Sequence, residues 1–574
     1  MFSNADLSPD NAIEHSTFTA VSTVLATMAP QQWPQVAPYA ADVLQALDQG
    51  HSYIRVDAAA VPLLQAAAPL VGAPGDFVPF VLSGNRLFLG RIWQLEHDIA
   101  RHLLRLAAAP VNVADRDAAA AALRDWFPEA SSRGQQEAAA LALLQALMLL
   151  NGGPGTGKTT TVAKLLGLLC LGHNGTLPRI ALAAPTGKAA ARMSQALQQA
   201  LGRFELPEHI RSHLQTLEGI TVHRLLGLRP PMLQARYGPD QPLPLDMVVV
   251  DEASMLDYSL LNKLLSALPD GCRLILLGDH NQLPAVGAGD ILGALSQETC
   301  VSGDLAAQLQ QLLPESRWRQ AADIPPLAAN TAFLRVSHRF DDSSGIGRLA
   351  RAVVAGDAEA AVAAYADFPA ALHYRENLHQ AVADLYRLQQ DYWQAVAQAD
   401  VAAAFAAAEQ IVVLAARRQD AAAFNGAYRR YLGRHGHDTD APWFAGQLIM
   451  VTQNDYDSRL FNGDIGIVLA DAEGKPAAWF GEAGAYRALP LSRLPEHDTA
   501  FAITVHKSQG SEYDQVWFLP GEDGHSDRAL LYTALTRARQ TFVFGGNEAA
   551  LCQALLTPRP RRSGLRAALA AQAA

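Results

Sequence analysis

The residues of this chain that could do chemistry gather in three short segments, each directly after an apolar run. Gly152-Gly153-Pro154-Gly155-Thr156-Gly157-Lys158-Thr159 fits the pattern G-x-x-x-x-G-K-[ST]. Its glycines let backbone N–H groups turn inward around phosphates, and a helix starting there adds partial positive charge. Lys158 is placed to neutralise the β- and γ-phosphates of a nucleoside triphosphate, and the Thr159 hydroxyl to ligate Mg²⁺. After Val248–Val250 come Asp251 and Glu252. Asp251 is expected to hold the metal, and Glu252 to orient and deprotonate the attacking water. Asp279-His280-Asn281-Gln282 follows a further apolar run, where the Gln282 amide could touch both the γ-phosphate and that water. Alone, two acids after a strand are usually a solvated helix start, and an Asp/Asn/Gly/Pro run is usually a turn. Behind a phosphate loop, in this order, they read as an ATPase.

Such groups must be delivered by strands. The runs Leu147–Leu150, Ile180–Ala184, Met247–Val250 and Leu274–Leu277 are short and apolar throughout. Strands of a parallel sheet covered on both faces look like this, and a helix is expected over Thr160–Leu171. Four more candidate strands, Ile411–Leu414, Phe501–Val505, Val516–Leu519 and Thr541–Phe544, mark a second α/β region. The fold class expected is therefore α/β, with a motor region over 116–330 and a second over 331–574. A small β-rich insertion of barrel type is expected at about 431–498 (GQLIMVTQNDY, DIGIVLA, AAWFGEA). Residues 1–115 carry no phosphate loop. Apolar spacing in Ala40–Leu47 and Trp93–Leu106 makes them mainly helical, with a hairpin at Val78–Leu89 around Gly84-Asn85 and an Ala/Asp-rich linker near 115. The tail TPRPRRSGLR is expected to be mobile.

Phosphate-loop ATPases have many tasks, so the remaining donors must decide. Pro185-Thr186-Gly187-Lys188 follows the second strand, and Thr221-Val222-His223 precedes the Asp-Glu strand. Thr504-Val505-His506-Lys507-Ser508-Gln509-Gly510 ends a strand of the second region, which also holds Arg339 and Arg537. Each alone is weak, since a lone Arg is usually a surface residue. Together, GGPGTGKTTT, APTGKAAARM, TVHRLLG, VDEASMLD, GDHNQLPAVGAGD, LFNGDIGIV, TVHKSQGSEYD and LYTALTRAR resemble the RecD family of superfamily 1 DNA helicases. The N-terminal FVLSGNRLFLGRIWQLEHDIA is similar to the same family's pre-motor domain, so the likeness covers nearly the whole chain.

The resemblance implies two RecA-like parallel-sheet lobes clamping ATP, with an SH3-like insertion in the second. The catalytic set it implies is Lys158, Thr159, Asp251, Glu252 and Gln282, with Arg339 and Arg537 reaching the γ-phosphate from the second lobe. Nucleotide would be held by Gly152, Gly153, Pro154, Gly155, Thr156, Gly157, Lys158, Thr159, Thr160, Gln509 and Gly510. Gln135 would read adenine, although Gln136 beside it competes for that role. Mg²⁺ would rest on Thr159 and Asp251. Single-stranded DNA would meet Pro185, Thr186, Lys188, Thr221, His223, Asn281, Thr504, His506 and Lys507. The family further implies 5′→3′ movement, RecB-like and RecC-like partner subunits, and work on DNA ends in double-strand-break repair by homologous recombination. The other readings are a stand-alone relative, whose N-terminal extension is usually longer, and an interaction subunit with a vestigial motor.

Bulk properties set bounds. At 574 residues, with ~150 residues per domain, three or four domains are expected. The net charge of −11 counts against a protein that coats DNA non-specifically. Four scattered cysteines, Cys170, Cys272, Cys300 and Cys552, form no CxxC pair, which argues against a zinc or iron–sulfur site and for a reducing compartment. Met1–Ser16 is polar and acidic, unlike a signal peptide, and the apolar stretch Ala138–Leu150 is too short to span a bilayer. A soluble, cytoplasmic protein is expected, with no nuclease centre on this chain.

Overall fold

Apolar strands buried on both faces stack side by side, and in a computed structural model of the chain they do so twice. The structure describes residues 9–113, 115–171, 176–228, 234–339, 343–455, 457–482, 485–521, 526–558 and 560–573, with the side chains of 9–18, 378, 379 and 482 outside that description. Met1–Ser16 therefore lies outside the described side chains.

The first sheet is six-stranded and parallel throughout, in the order Thr331–Leu334, Leu147–Gly152, Arg273–Gly278, Met247–Val250, Ile180–Ala184, Gly219–Thr221. One strand, Arg273–Gly278, separates the phosphate-loop strand from the Asp-Glu strand, so the three chemical segments leave the same edge as neighbours. Leu147–Gly152 is buried along its length. Separate apolar cores cover the two faces of this sheet, as the uninterrupted apolar runs require. The second sheet has five parallel strands: Leu372–Tyr374, Ala538–Phe544, Tyr513–Leu519, Ile411–Ala415 and Ala502–Thr504. A five-stranded antiparallel sheet between Leu448 and Thr499 interrupts it; its last strand returns to pair with its first.

The N-terminal region has the expected hairpin, Phe80–Ser83 against Arg86–Leu89, in a four-stranded sheet beside helix Trp33–Asp48. Helix Gly90–Ala107 buries Trp93, Glu96, Ile99, Ala100, Leu103 and Leu106, a three-to-four-residue stripe. Ile99, Ala100, Leu103 and Leu106 face into the first lobe's core, so the helix joins the N-terminal region to the motor.

Four boundaries differ from the sequence reading. Thr331–Leu334, assigned there to the second region, is an edge strand of the first sheet, paired with Leu149–Gly152. The Ala/Asp-rich stretch expected as a linker is helix Arg116–Trp126, capped by the Asp115 carboxylate accepting from the Ala118 N–H at 2.8 Å. The insertion expected from 431 starts later, because helix Arg418–Arg434 runs through that point. The tail expected to be mobile is packed: helix Leu565–Ala573 buries Leu565, Ala568 and Leu569 against helices Gly90–Ala107 and Ile291–Leu295. Among the described residues no helix is long and apolar enough to cross a membrane.

Candidate active site and nucleic-acid interface

The phosphate loop turns between strand Leu147–Gly152 and helix Lys158–Leu171. Gly155 and Gly157 lie in the left-handed region at φ +74° and +78°. A side chain at Gly155 would come within 2.4 Å of the Arg339 Cβ, and one at Gly157 within 2.4 Å of the Gln135 amide nitrogen. Both positions thus need glycine for backbone conformation and for close approach. Lys158 Nζ donates to the Gly152 and Gly153 carbonyls at 2.5 and 3.3 Å, which folds it over the loop.

The Asp-Glu pair sits where strand Met247–Val250 ends. Glu252 has φ +51°, a conformation that costs a non-glycine residue roughly 1–3 kcal/mol and that gathers at functional sites. Its N–H donates to Asp251 Oδ1 at 2.8 Å. Burial and the adjacent Glu252 charge push the Asp251 carboxyl up to about 6, against the pull of Lys158. Two crowded acids within reach of the Lys158 charge form a donor set that suits a divalent cation. Among the described residues no group of three or more His, Cys, Asp or Glu side chains could hold a metal, so a cation here would draw on nucleotide oxygens.

Asp279 organises the third segment. Its carboxylate accepts from the Asn281 N–H at 3.0 Å, from Gln282 Nε2 at 3.1 Å and from the Tyr532 hydroxyl at 3.0 Å. Gln282 is buried, yet its Oε1 has no partner, an acceptor left over at the cleft. Tyr532 comes from the second lobe, and its hydroxyl lies against Gly153 of the phosphate loop. The neighbouring Thr533 Oγ1 accepts from the Leu283 N–H at 2.9 Å, and Gln509 Nε2 donates to the Leu283 carbonyl at 3.1 Å. Gln509 is therefore engaged with the first lobe. Gly510 faces Ala189 across the same boundary.

The arginines divide. Ser337-His338-Arg339 lies on the phosphate loop: the His338 N–H donates to the Gly155 carbonyl at 2.8 Å, and Ser337 Oγ to the Pro154 carbonyl at 3.1 Å. Arg339 Nη2 pairs with Glu512 Oε2 at 2.7 Å; Arg192 of the first lobe pairs with the same carboxylate, and Arg539 reaches it at 3.5 Å. Burial alone would raise the Glu512 carboxyl. The Arg339 hydrogen bond and the Arg192 charge outweigh burial and hold it at about 2. Arg537 is buried just past the end of helix Arg528–Leu535, donating to the Thr533 and Ser511 carbonyls at 3.2 and 3.4 Å. Asp279, Glu512 and Tyr532 were not singled out from sequence. Tyr532 directly follows the Leu530-Leu531 pair and reads there as ordinary helix core.

Gln135 and Gln136 part company. Gln135 Nε2 donates to the Thr156 carbonyl at 3.0 Å and lies 3.2 Å from His338 Nε2, whereas Gln136 Nε2 donates to the Leu123 carbonyl at 3.0 Å, away from the loop. Gln135 lines a cavity of about 900 Å³ against Gly155, Gly157 and Thr160. Its walls include Trp126 and Phe204, whose rings pack on each other with centroids 4.8 Å apart and planes tilted by 53°.

A second, larger groove of about 1660 Å³ runs between the first lobe and the insertion. Lys188 and Thr221 line it, joined by Arg224, Arg236, Tyr237, Arg459 and Phe461, none of which the sequence reading chose. Phe461 lies over Gly187, at the start of helix Gly187–Leu201, which Thr186 caps by accepting from the Ala189 N–H. Pro185 precedes that cap. His223, Asn281, Thr504, His506 and Lys507 are not among the groove's lining residues. Lys507 is held by Asp498 at 2.8 Å; His506 is lowered by burial and by the Arg561 charge; His223 is lowered by burial and faces Asp257 and Lys263.

Comparison with known proteins agrees with this geometry. Residues 135–288 match the family model described as an AAA domain, and residues 499–544 the UvrD-like helicase C-terminal domain. The chain is 37% identical over 522 residues to the RecBCD enzyme subunit RecD of Mycolicibacterium smegmatis, covering 87% of this chain and 85% of that one. It is 32% identical to the RecBCD enzyme subunit RecD of Haemophilus influenzae, covering 85% and 81%. To the ATP-dependent RecD2 DNA helicase of Deinococcus radiodurans it is 30% identical, covering 85% of this chain and 58% of that one.

Proposed function

As a member of the RecD family of superfamily 1 DNA helicases, to which this chain belongs, the protein is an ATP-dependent DNA motor, and we propose that it serves as the 5′→3′ translocating subunit of a RecBCD-type helicase–nuclease in double-strand-break repair. The observation that carries this is the shared cleft: the Tyr532 hydroxyl, from a helix of the second lobe, lies directly on the phosphate loop of the first, beside Arg339 from the segment that leaves the first sheet toward the second.

The chemistry follows from who faces whom. Lys158 holds the β/γ-phosphates, and Gln135 with Trp126 and Phe204 receives the base. Mg²⁺ bound with ATP would rest on Thr159 and Asp251 and supply charge neutralisation at the phosphates. Glu252 takes the proton of the attacking water, and the free Gln282 oxygen fixes that water's direction. Arg339 and Arg537 complete the γ-phosphate environment. Residues of this kind are worth ~10³–10⁵ in rate, so hydrolysis waits on cleft closure. Closure also moves the insertion, with Phe461 and Arg459, relative to Lys188 and Thr221, and so shifts a strand held between them. Base stacking on Phe461 and Tyr237, with phosphates met by Lys188 and Arg236, suits single-stranded DNA without sequence preference. Opening duplex DNA costs ~1.4 kcal/mol per base-pair step, well within one hydrolysis cycle.

RecB-like and RecC-like subunits are the partners, the N-terminal region is their docking site, and the compartment is the cytoplasm. The test is unwinding of duplexes with a 5′ or a 3′ single-stranded tail, with and without the partner chains. Unwinding from the 5′ tail alone, without DNA degradation by the single chain, is expected. Preference for the 3′ tail, or Mg²⁺-dependent cutting by this chain alone, would sink the reading.

A further inference from the structure

The chain passes between the lobes twice. It leaves the first sheet at Leu334, and it returns after helix Glu548–Leu556, when residues 560–564 run back over the first lobe to helix Leu565–Ala573. The return segment is stitched down. The Ser52 N–H donates to the Arg562 carbonyl at 2.8 Å, and the Gly564 N–H donates to Glu96 Oε1 at 2.9 Å. Glu96 also accepts from Tyr258, at 2.8 Å.

Arg561 on this segment reaches the loop Pro284–Gly289. Its Nη1 donates to the carbonyls of Ala285, Gly287 and Gly289 at 2.6, 2.7 and 3.1 Å. Its guanidinium packs on Gly50 of the N-terminal region, whose carbonyl accepts from the Gly289 N–H at 2.8 Å. The loop itself is compliant: Gly287 and Gly289 have φ +138° and +89°, and Val286 at its tip is 81% exposed. Immediately before it stand Gln282, with its unpartnered oxygen, and Leu283, gripped by Thr533 and Gln509 of the second lobe. A glycine-rich loop gripped at one end only would bend and absorb any motion of the second lobe.

We propose that Arg561 is a positioning residue, which stiffens the Pro284–Gly289 loop so that displacement of the second lobe is delivered to Gln282 instead of being lost in the loop. This rests on the reading of Gln282 as the group that directs the attacking water. Arg561 also lies within electrostatic reach of Asp290, which caps helix Ile291–Leu295, and of Asp527, which caps the helix carrying Tyr532. The return segment is thus a second mechanical connection between the nucleotide site and the second lobe.

The experiment compares full-length wild type, Arg561→Ala, Arg561→Lys and Leu569→Ala, each assembled with its partner subunits. Arg561→Ala should lower DNA-stimulated kcat and base pairs unwound per ATP by about ten-fold, the scale of a slightly misplaced reacting group, with KM for ATP and Tm little changed. Arg561→Lys, which restores donors, should recover part of both. Leu569→Ala loosens the helix without touching the loop and should lower Tm while leaving base pairs per ATP unchanged. Unaltered kcat and coupling in Arg561→Ala would overturn the proposal, and so would Leu569→Ala reproducing its loss of coupling. A wild type without DNA-stimulated turnover would sink the helicase reading itself; an active wild type with an unimpaired Arg561→Ala would sink this inference alone.

Discussion

The nucleotide cleft and the strand groove lie on the same first lobe but are built by opposite means. In the cleft almost every polar group is committed: Asp279 takes three donors, Glu512 gathers three arginines, and two loop glycines are fixed by what touches them. The groove is wider, and its donors are long side chains at the rim over a largely apolar lining. The difference matches the two tasks. A phosphoryl transfer is directional and needs preorganised groups. A strand that must be released at every step needs only stacking faces and movable cations.

If that contrast is right, single changes should act steeply in the cleft and shallowly in the groove. Lys158→Gln should drop DNA-stimulated turnover by at least ~10³-fold, the scale of removing a transition-state cation, while circular dichroism stays native. Retained turnover would break the contrast at its strongest point. Glu512→Gln should cost about 1–3 kcal/mol of stability at pH 7, the order set by a carboxyl held at about 2 rather than near 4.5. The sign is fixed by the depressed value: the contribution is fully present above about pH 4.5 and lost as pH falls toward 2. Denaturant melts of wild type and variant should therefore converge over that window.

Gln135→Ala should raise KM for ATP about five-fold, one hydrogen bond's worth, with kcat held and preference for ATP over GTP reduced. Gln136→Ala, on the other side of the helix, should leave KM alone. Lys188→Ala should weaken single-stranded DNA binding by less than ~1.4 kcal/mol and lower the salt slope by about 0.7, as one lost phosphate contact requires. A collapse of binding on that one change would mean the groove is as tightly specified as the cleft.

The cleft was legible in the sequence because its chemistry is local. A phosphate loop needs its glycines, lysine and threonine consecutively, and Asp251, Glu252 and Gln282 each stand at a strand end whose apolar run announces it. Eight candidate strands were found for the same reason. What stayed hidden joins distant segments. Nothing near Tyr532 says that its hydroxyl meets Asp279, and nothing near Glu512 says that arginines from three segments converge there. In the groove, Arg236, Tyr237, Arg459 and Phe461 come together only when the insertion folds against the first lobe. His506 and Lys507 carry the right side-chain types, but Lys507 is held by Asp498 and His506 is lowered by burial. The tail misled most: a Pro- and Arg-rich run reads as solvated, yet Leu565 and Leu569 pack into the first lobe and half-buried Arg561 is bonded to a loop.

The central claim is that ATP is closed upon by two lobes. Three of the four cysteines are buried, so a Cys552→Ser background with exposed Glu315→Cys and Glu473→Cys would report the distance between the first lobe and the insertion by single-molecule energy transfer. A non-hydrolysable ATP analogue with single-stranded DNA should shift the transfer efficiency, and Lys158→Gln should abolish the shift. An identical distribution with and without nucleotide in the wild-type background would contradict the account.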